Sequence, residues 1–401
     1  MNPSIKKLAE TSLKKRKKII GLMSGTSLDG LDIALCEIQG SGSDTVVNLK
    51  HFITKPYGEH EKRRLKNISS VKTVELSEVC YLHTWLAGYH SKLILTALEK
   101  WGIEPSEIDC IASHGQTIYH FPSREQTEKE FEKFNSTLQI GDGDHIAYKT
   151  GILTISDFRQ KHTSPGGEGA PMAALVDRIL FSDPDESRIL LNIGGIANFT
   201  IIPAGKKDSR DSFTTDTGPG NTMIDNLVQR YYSLEYDEDG KIAKSGQVNH
   251  DLLGALLSDS YFETKETAST GPEHFNFNWL NEKAEGLKIS LEDIPVPDII
   301  RTVTELSAIT VTDRIRKLCL DDKYKIYISG GGMHNTFLIN RIRDLLRGVP
   351  IKSIGELGVD PDAKEAVVFA VLANEMLSGS GFGFGPARTG RLNFGKISFP
   401  E

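Results

Sequence analysis

The stretch Gly21-Leu-Met-Ser-Gly-Thr-Ser-Leu-Asp-Gly-Leu-Asp32 breaks an apolar run with residues that can do chemistry. Gly25 and Gly30 let the backbone turn closely and present its N–H groups, and Thr26 and Ser27 add hydroxyl donors suited to phosphate oxygens. Asp29 and Asp32 could hold a divalent cation directly or through its waters. Alone, such a stretch is equally an ordinary polar hairpin. A second one, Asn192-Ile-Gly-Gly-Ile-Ala-Asn198, follows about 170 residues later and changes the balance. Backbone N–H groups from two opposed turns, Gly194 and Gly195 in the second, can cradle β- and γ-phosphates without a lysine. Walker GxxxxGK[ST] and dinucleotide GxGxxG spacings are absent from both. Gly330, Gly331 and Gly332 follow a strand and precede a helix, where a flat adenosine can approach the backbone.

Other candidates are acid–base and oxyanion groups. His114, beside Ser113 and Gln116 after an apolar strand, is placed to bind a polar ligand or orient a neighbour. Between residues 156 and 171 a small, glycine-rich loop holds Asp157, Arg159, His162 and Glu168. Such a loop can close on a sugar, with Arg159 binding oxygens bidentately and a carboxylate or imidazole as base. Glu365, at a helix start, looks on chemistry alone like an ordinary helix-start acid.

These pieces need elements to hold them. Apolar runs predict strands at 19–23, 33–35, 45–51, 108–112 and 152–155, with helices at 74–100 and from Pro171 to 181. The order then restarts: strands at 189–193, 199–202 and 213–217, closed by Gly218-Pro-Gly220, a helical insertion over about 249–318, strand 325–329, helix 336–346, strand 350–354 and helix 361–377. Both halves read βββαβαβα. The expected fold is α/β, with two such lobes facing a central cleft: residues 1–185 carrying the phosphate hairpin 21–32 and the substrate loop 156–171, and residues 186–401 carrying the phosphate turn 192–198 and the adenosine turn 329–332.

At 401 residues, two domains are the default. The net charge of −7 argues against nucleic acid as a partner. Four cysteines without CxxC spacing indicate neither a zinc site nor a disulfide framework and suit reduced, cytoplasmic thiols. No apolar run reaches the ~20 residues of a membrane helix. The basic N-terminus, Lys14-Lys-Arg-Lys-Lys18 included, reads as a solvated helix or frayed leader.

Taken together, Gly25-Thr-Ser-Leu-Asp-Gly-Leu-Asp32, Ser113-His-Gly-Gln-Thr117, Leu138-Gln-Ile-Gly-Asp142, Asn192-Ile-Gly-Gly-Ile-Ala-Asn198, Asp216-Thr-Gly-Pro-Gly-Asn221, Ser329-Gly-Gly-Gly332 and Glu365-Ala366 resemble, in order, the anhydro-N-acetylmuramic acid kinases. The resemblance implies two ribonuclease-H-like lobes of the actin/hexokinase/Hsp70-like superfamily, with ATP and Mg2+ as cofactors and a cytoplasmic enzyme of peptidoglycan recycling, with a homodimer as the oligomeric expectation. In that family water attacks the anomeric carbon of 1,6-anhydro-N-acetylmuramic acid while O6 takes the γ-phosphate, giving N-acetylmuramic acid 6-phosphate and ADP.

Carried over residue by residue, Gly25 to Asp32 (with Leu28 and Leu31), Gly194, Gly195, Asn198, Gly218, Gly220, Gly330, Gly331, Gly332 and Asn335 fall on the nucleotide, and His114, Gln116, Arg159 and Glu365 on the sugar. The family's base is an aspartate, at the position held here by His162. Glu168 stands where glutamine is usual and would restore the lost negative charge, and Asp157 is the remaining carboxylate. Ala268 and Pro272 replace residues that are commonly basic. Two other functions remain compatible with these residues: a same-fold kinase for a different sugar or anhydrosugar, and a nucleotide-binding sensor with impaired catalysis.

Overall fold

The computed structural model describes residues 1–25, 28–123, 126, 132–169, 172–205, 213–263, 270–271, 274–318, 324–379, 382–383 and 391–401. They divide into two units, Met1–Leu180 with Ala363–Glu401, and Phe181–Asp362.

The first unit is built on β1 (Arg16–Ser24), β2 (Gly30–Gln39), β3 (Val46–Pro56), β4 (Cys110–Phe121), β5 (Ser136–Ile140), β6 (Thr154–Ser156) and the C-terminal strand Lys396–Ser398. Their order across the sheet is C-terminal strand, β6, β4, β1, β2, β3, with β5 paired to β4. The first three strands form an antiparallel meander, and β4 and β6 add in parallel. β1 is central and covered on both faces, so it carries apolar residues at consecutive positions rather than alternating ones. Ile19 packs with Ala34, Cys36, Cys110 and Ile155 under helix Lys364–Ser378. Ile20 and Leu22 face the opposite core with Leu31, Ile33 and Ile111, under helix Leu76–Trp101.

The second unit repeats this plan. β7 (Ser187–Ile193), β8 (Ile196–Ile202) and β9 (Phe213–Pro219) form the meander, and β10 (Tyr324–Ser329) and β11 (Ile351–Ser353) add in parallel, in the order β11, β10, β7, β8, β9. That order equals β6, β4, β1, β2, β3, so the duplication read from element order is a duplication of topology. Helices Val296–Leu318 and Thr336–Leu345 cover this sheet through Ala308, Val311, Leu338 and Ile342. The expected helical insertion is present, with helices His250–Leu257 and Phe277–Gly286 in a separate apolar cluster.

Four expectations change. Residues 363–401 belong to the first unit, not the second, because Val368, Phe369, Val371 and Leu372 bury their side chains in the core on β1, β2 and β4. β4 does not stop at Ser113 but runs through the polar motif to Phe121, since those polar side chains find buried partners. The loop expected over 156–171 opens with the short helix Phe158–Thr163. The basic leader is a docked helix, Pro3–Leu13, whose Ser12 hydroxyl donates to the Leu377 carbonyl at 2.5 Å, and Lys17 lies buried inside β1. No helix among the described residues is long and apolar enough to cross a membrane.

Candidate active site

The chemistry-bearing residues of the first unit gather at the ends of β1, β2 and β4 and the start of helix Lys364–Ser378. β4 supplies His114, and helix Phe158–Thr163 supplies Arg159. Arg159 Nε–H donates to His114 Nε2 at 2.9 Å. A guanidinium only donates, so Nε2 carries the lone pair, and Nδ1–H donates to the Gly115 carbonyl at 2.8 Å. Burial, helped by the Arg159 charge, holds His114 well below its usual range, so the imidazole is neutral in one tautomer. Its ring packs 4.7 Å from that of Phe369. Gly115 sits at φ +76°, where a Cβ would meet the Ile140 carbonyl oxygen at 2.6 Å.

Burial lowers Arg159 to about 10 against the opposing pull of Glu365. Glu365 lies one residue inside helix Lys364–Ser378. Its side chain reaches solvent but is crowded by protein, and this loss of water raises its carboxyl above the usual range; Lys364 and Arg159 oppose the shift, and Asp32 and Asp177 add to it. His114, Arg159, Glu365 and Asp32 are therefore brought together. Beneath them, the buried Lys364 ammonium pairs with Asp177 at 3.0 Å.

The hairpin between β1 and β2 is anchored from below. The Ser24 hydroxyl donates to Gln116 Oε1 at 2.5 Å and lies 2.7 Å from the Tyr57 hydroxyl, which in turn meets His90 Nε2 at 2.7 Å. Gln116 Nε2 donates to the Gly25 carbonyl at 3.1 Å. Gln116 is fully buried, so in place of an open ligand contact it ties β4 to the hairpin. Tyr57 N–H donates to the Asp29 carbonyl at 3.0 Å, and Leu28 takes φ +61°. Gly30 runs so near β3 that a Cβ would meet the Lys55 carbonyl oxygen at 2.4 Å. Leu31 is buried beneath the turn. Thr26 and Ser27 lie outside the described residues, as do Ala268 and Pro272.

In the loop beyond β6, Asp157 adopts φ +56° and pairs with the Lys396 ammonium of the C-terminal strand. His162, one helical turn after Arg159, accepts from the Gly169 N–H through Nδ1 at 3.0 Å and is buried. Burial lowers it to about 4, with Arg159 pushing the same way and Glu168 opposing. Glu168 is half-buried beside it.

In the second unit the glycine turns converge on the ends of β7 and β10. The Gly220 and Asn221 N–H groups donate to the carbonyls of Gly195 and Gly194 at 2.9 and 2.8 Å. Gly330, at φ +84°, passes Asn192 and Ile193 with no room for a side chain, and Gly332 packs on Ile193. Gly331 begins a short 3-10 turn. Gly218, at φ +134°, lies against Phe262. Asn198 stands opposite Asn192 and Asp216 across the strands. Asn335 caps helix Thr336–Leu345, its side-chain oxygen accepting from Leu338 N–H at 3.0 Å.

For a metal, Asp29 is exposed, and Asp32 is half-buried with one oxygen accepting from the Thr54 hydroxyl at 2.6 Å. No group of three metal-binding side chains occurs among the described residues. Sequence reasoning missed Tyr57, His90, Lys396 and the Asp177–Lys364 pair, which are buried or paired from remote positions and have no local signature. Gly21 did carry a signal, as a lone glycine inside an apolar strand: a Cβ there would meet the Ala366 carbonyl oxygen at 1.9 Å.

The chain matches the family model described as anhydro-N-acetylmuramic acid kinase over residues 17–391. It is 44% identical over 406 residues to the anhydro-N-acetylmuramic acid kinase of Pseudoalteromonas atlantica, covering 100% of both chains. Its identity to the protein of that name from Caldanaerobacter subterraneus is 38% over 392 residues, covering 96% of this chain and 98% of the relative. For the one from Salinibacter ruber it is 33% over 395 residues, covering 96% and 97%.

Proposed function

The chain belongs to the anhydro-N-acetylmuramic acid kinase family, and from that premise we propose how its residues perform the family's reaction. The enzyme uses ATP to phosphorylate O6 of 1,6-anhydro-N-acetylmuramic acid as water opens the anhydro bridge, giving N-acetylmuramic acid 6-phosphate and ADP. The observation that supports this assignment of roles is the grouping of Arg159, His114, Glu365 and Asp32 beside the β1–β2 hairpin.

Arg159, fixed through its Nε by His114, keeps its terminal nitrogens for sugar oxygens or carboxylate. Glu365, with a raised pKa, is suited to hydrogen-bond a sugar hydroxyl from either protonation state. In the first unit the backbone of Gly25 and of Leu28 to Gly30 offers donors suited to phosphate; in the second, that of Gly194–Gly195 does so, and the Gly330–Gly332 turn allows the close approach of a flat adenosine. Mg2+ would be held by Asp32, and by Asp29 through water; when bound it neutralises charge on the β- and γ-phosphates. A cytoplasmic location and a homodimer complete the proposal; the free thiols Cys36, Cys80 and Cys110 suit the first.

The experiment is turnover of purified protein with ATP, Mg2+ and 1,6-anhydro-N-acetylmuramic acid in 18O-labelled water. ADP should appear with the sugar 6-phosphate, and the label should enter at C1 and not at O6. Absence of ADP above background at saturating sugar would overturn the proposal, and ADP release only with another anhydrosugar or a free hexose would reassign the substrate.

A further inference from the structure

Each hydrogen bond holds one proton between its two heavy atoms, and in the buried row beneath the β1–β2 hairpin that requirement fixes where every proton sits. Two carbonyls orient the Gln116 amide. Its Nε2 donates to Gly25 at 3.1 Å and to Thr117 at 3.3 Å, so Oε1 is the end that faces Ser24. An amide oxygen only accepts, and the Ser24 hydroxyl therefore gives its single proton to Gln116. The 2.7 Å contact between Ser24 and Tyr57 is then bridged by the Tyr57 proton, and the 2.7 Å contact between Tyr57 and His90 Nε2 by a proton on that nitrogen. All of these protons point one way, from His90 through Tyr57, Ser24 and Gln116 to the Gly25 carbonyl, and each bond polarises the next.

The arrangement costs the core something. With its proton on Nε2, His90 carries its lone pair on Nδ1, which is buried and has no partner among the described residues. A leucine at 90 would bring no orphaned acceptor into the apolar cluster that holds Leu86 and Ile94, one helical turn to either side. Packing alone does not account for an imidazole there, whereas the proton it gives Tyr57 does. Tyr57 in turn grips the hairpin at both ends. Its phenol meets Ser24, the last residue of β1, and its backbone N–H donates at 3.0 Å to the carbonyl of Asp29, which adjoins the first residue of β2.

We propose that Tyr57 and His90 are positioning residues for nucleotide binding: the relay they begin ties down the Gly25 carbonyl and keeps that oxygen from turning toward the phosphates. This rests on the proposed function above, in which the β1–β2 hairpin is a phosphate turn. A loose glycine carbonyl can swing its partial negative charge toward an anionic ligand, and one bonded to Gln116 is held. Ser24, Tyr57, His90 and Gln116 are all buried, so they act on the nucleotide through the hairpin.

The test measures the affinity for ATP with Mg2+ by titration calorimetry without sugar, and kcat and both KM values with 1,6-anhydro-N-acetylmuramic acid. Folding of each full-length variant is checked by thermal unfolding. Tyr57→Phe keeps the ring and the backbone N–H and removes two bonds of the relay. It should weaken ATP binding and raise KM for ATP by about tenfold or more, with KM for the sugar changed less. Ser24→Ala, a smaller change, should act in the same direction, and because both break one relay the double variant should bind little worse than the weaker single. His90→Leu should weaken ATP binding by about 2- to 10-fold, and His90→Gln, whose Nε2 can replace the imidazole donor, should lose less. The leucine variant should nevertheless unfold at a temperature no lower than the glutamine variant, a crossing of affinity against stability that a merely structural role would not produce. Tyr57→Phe and Ser24→Ala that fold and bind ATP as the wild type does would overturn the proposal. Losses confined to the sugar, or affinities that simply follow unfolding temperature, would overturn it as well. A wild-type chain that binds ATP but leaves the sugar untouched would overturn the proposed reaction while the affinities still decide this inference, and one that binds no ATP would overturn both.

Discussion

Arg159 donates through Nε to His114 Nε2 at 2.9 Å, and this single bond orients the guanidinium while consuming the imidazole's lone pair. An apparent acid–base residue is thereby a support for a cation.

That pairing predicts a particular kinetic phenotype. Arg159→Lys loses the Nε donor and the fork, and His114→Phe leaves Arg159 without its acceptor. A hydrogen bond to a charged group is worth about 1.5–3 kcal/mol, so each should raise KM for the sugar by roughly 10- to 150-fold in steady-state assays, with KM for ATP changed less. Equal changes in both KM values would argue against a sugar role for Arg159.

Acid stability should track His90. Burial in the first core pushes it down to about 3, against ~6.5 in an unfolded chain. Below pH 6.5 the unfolded chain binds a proton that the folded chain does not, so stability present above that pH is lost as pH falls toward 3. Urea midpoints measured between pH 7 and 4.5 should drop, and His90→Gln should remove roughly 2 kcal/mol of that drop. An unchanged slope in the variant would count against the buried neutral histidine.

The buried Asp177–Lys364 pair should behave asymmetrically. Removing one partner, as in Lys364→Met, breaks a buried ion pair and should cost about 3–5 kcal/mol in urea unfolding. Asp177→Leu combined with Lys364→Met should recover most of that loss. Additive losses in the double variant would mean the charges do not compensate each other.

At Gly21, alanine would put a Cβ 1.9 Å from the Ala366 carbonyl oxygen, in backbone that cannot swing aside. Overpacking there should cost about 3 kcal/mol or more, read as a lower unfolding midpoint, and should lower kcat because Ala366 adjoins Glu365. A variant as stable as wild type would contradict the close approach.

Much of the fold was legible because both central strands are buried on two faces. Ile19-Ile20-Gly21-Leu22 and Ile189-Leu-Leu-Asn-Ile193 announce themselves by composition. The repeat in element order led to two sheets that share one five-strand order. What could not be read was partnership. Nothing local in Ser-His-Gly-Gln-Thr says that Gln116 faces Ser24 and the hairpin carbonyl, or that His114 serves Arg159, because those contacts span 45 to 92 residues. The unit boundary was missed for a related reason. Periodicity shows that helix Lys364–Ser378 has apolar faces, not which sheet they cover.

That helix also sets a timetable. All but one strand of the first sheet is encoded by residue 156, yet the helix that seals one of its faces comes only at residues 364–378. While the protein is being made, Ile19, Ala34, Cys36 and Cys110 must wait for roughly 200 further residues to leave the ribosome before this cover arrives. The middle unit, contiguous in sequence, can finish first. The nascent first unit therefore stands open on that side, and a chain cut before residue 363 would have a central sheet that this helix never covers.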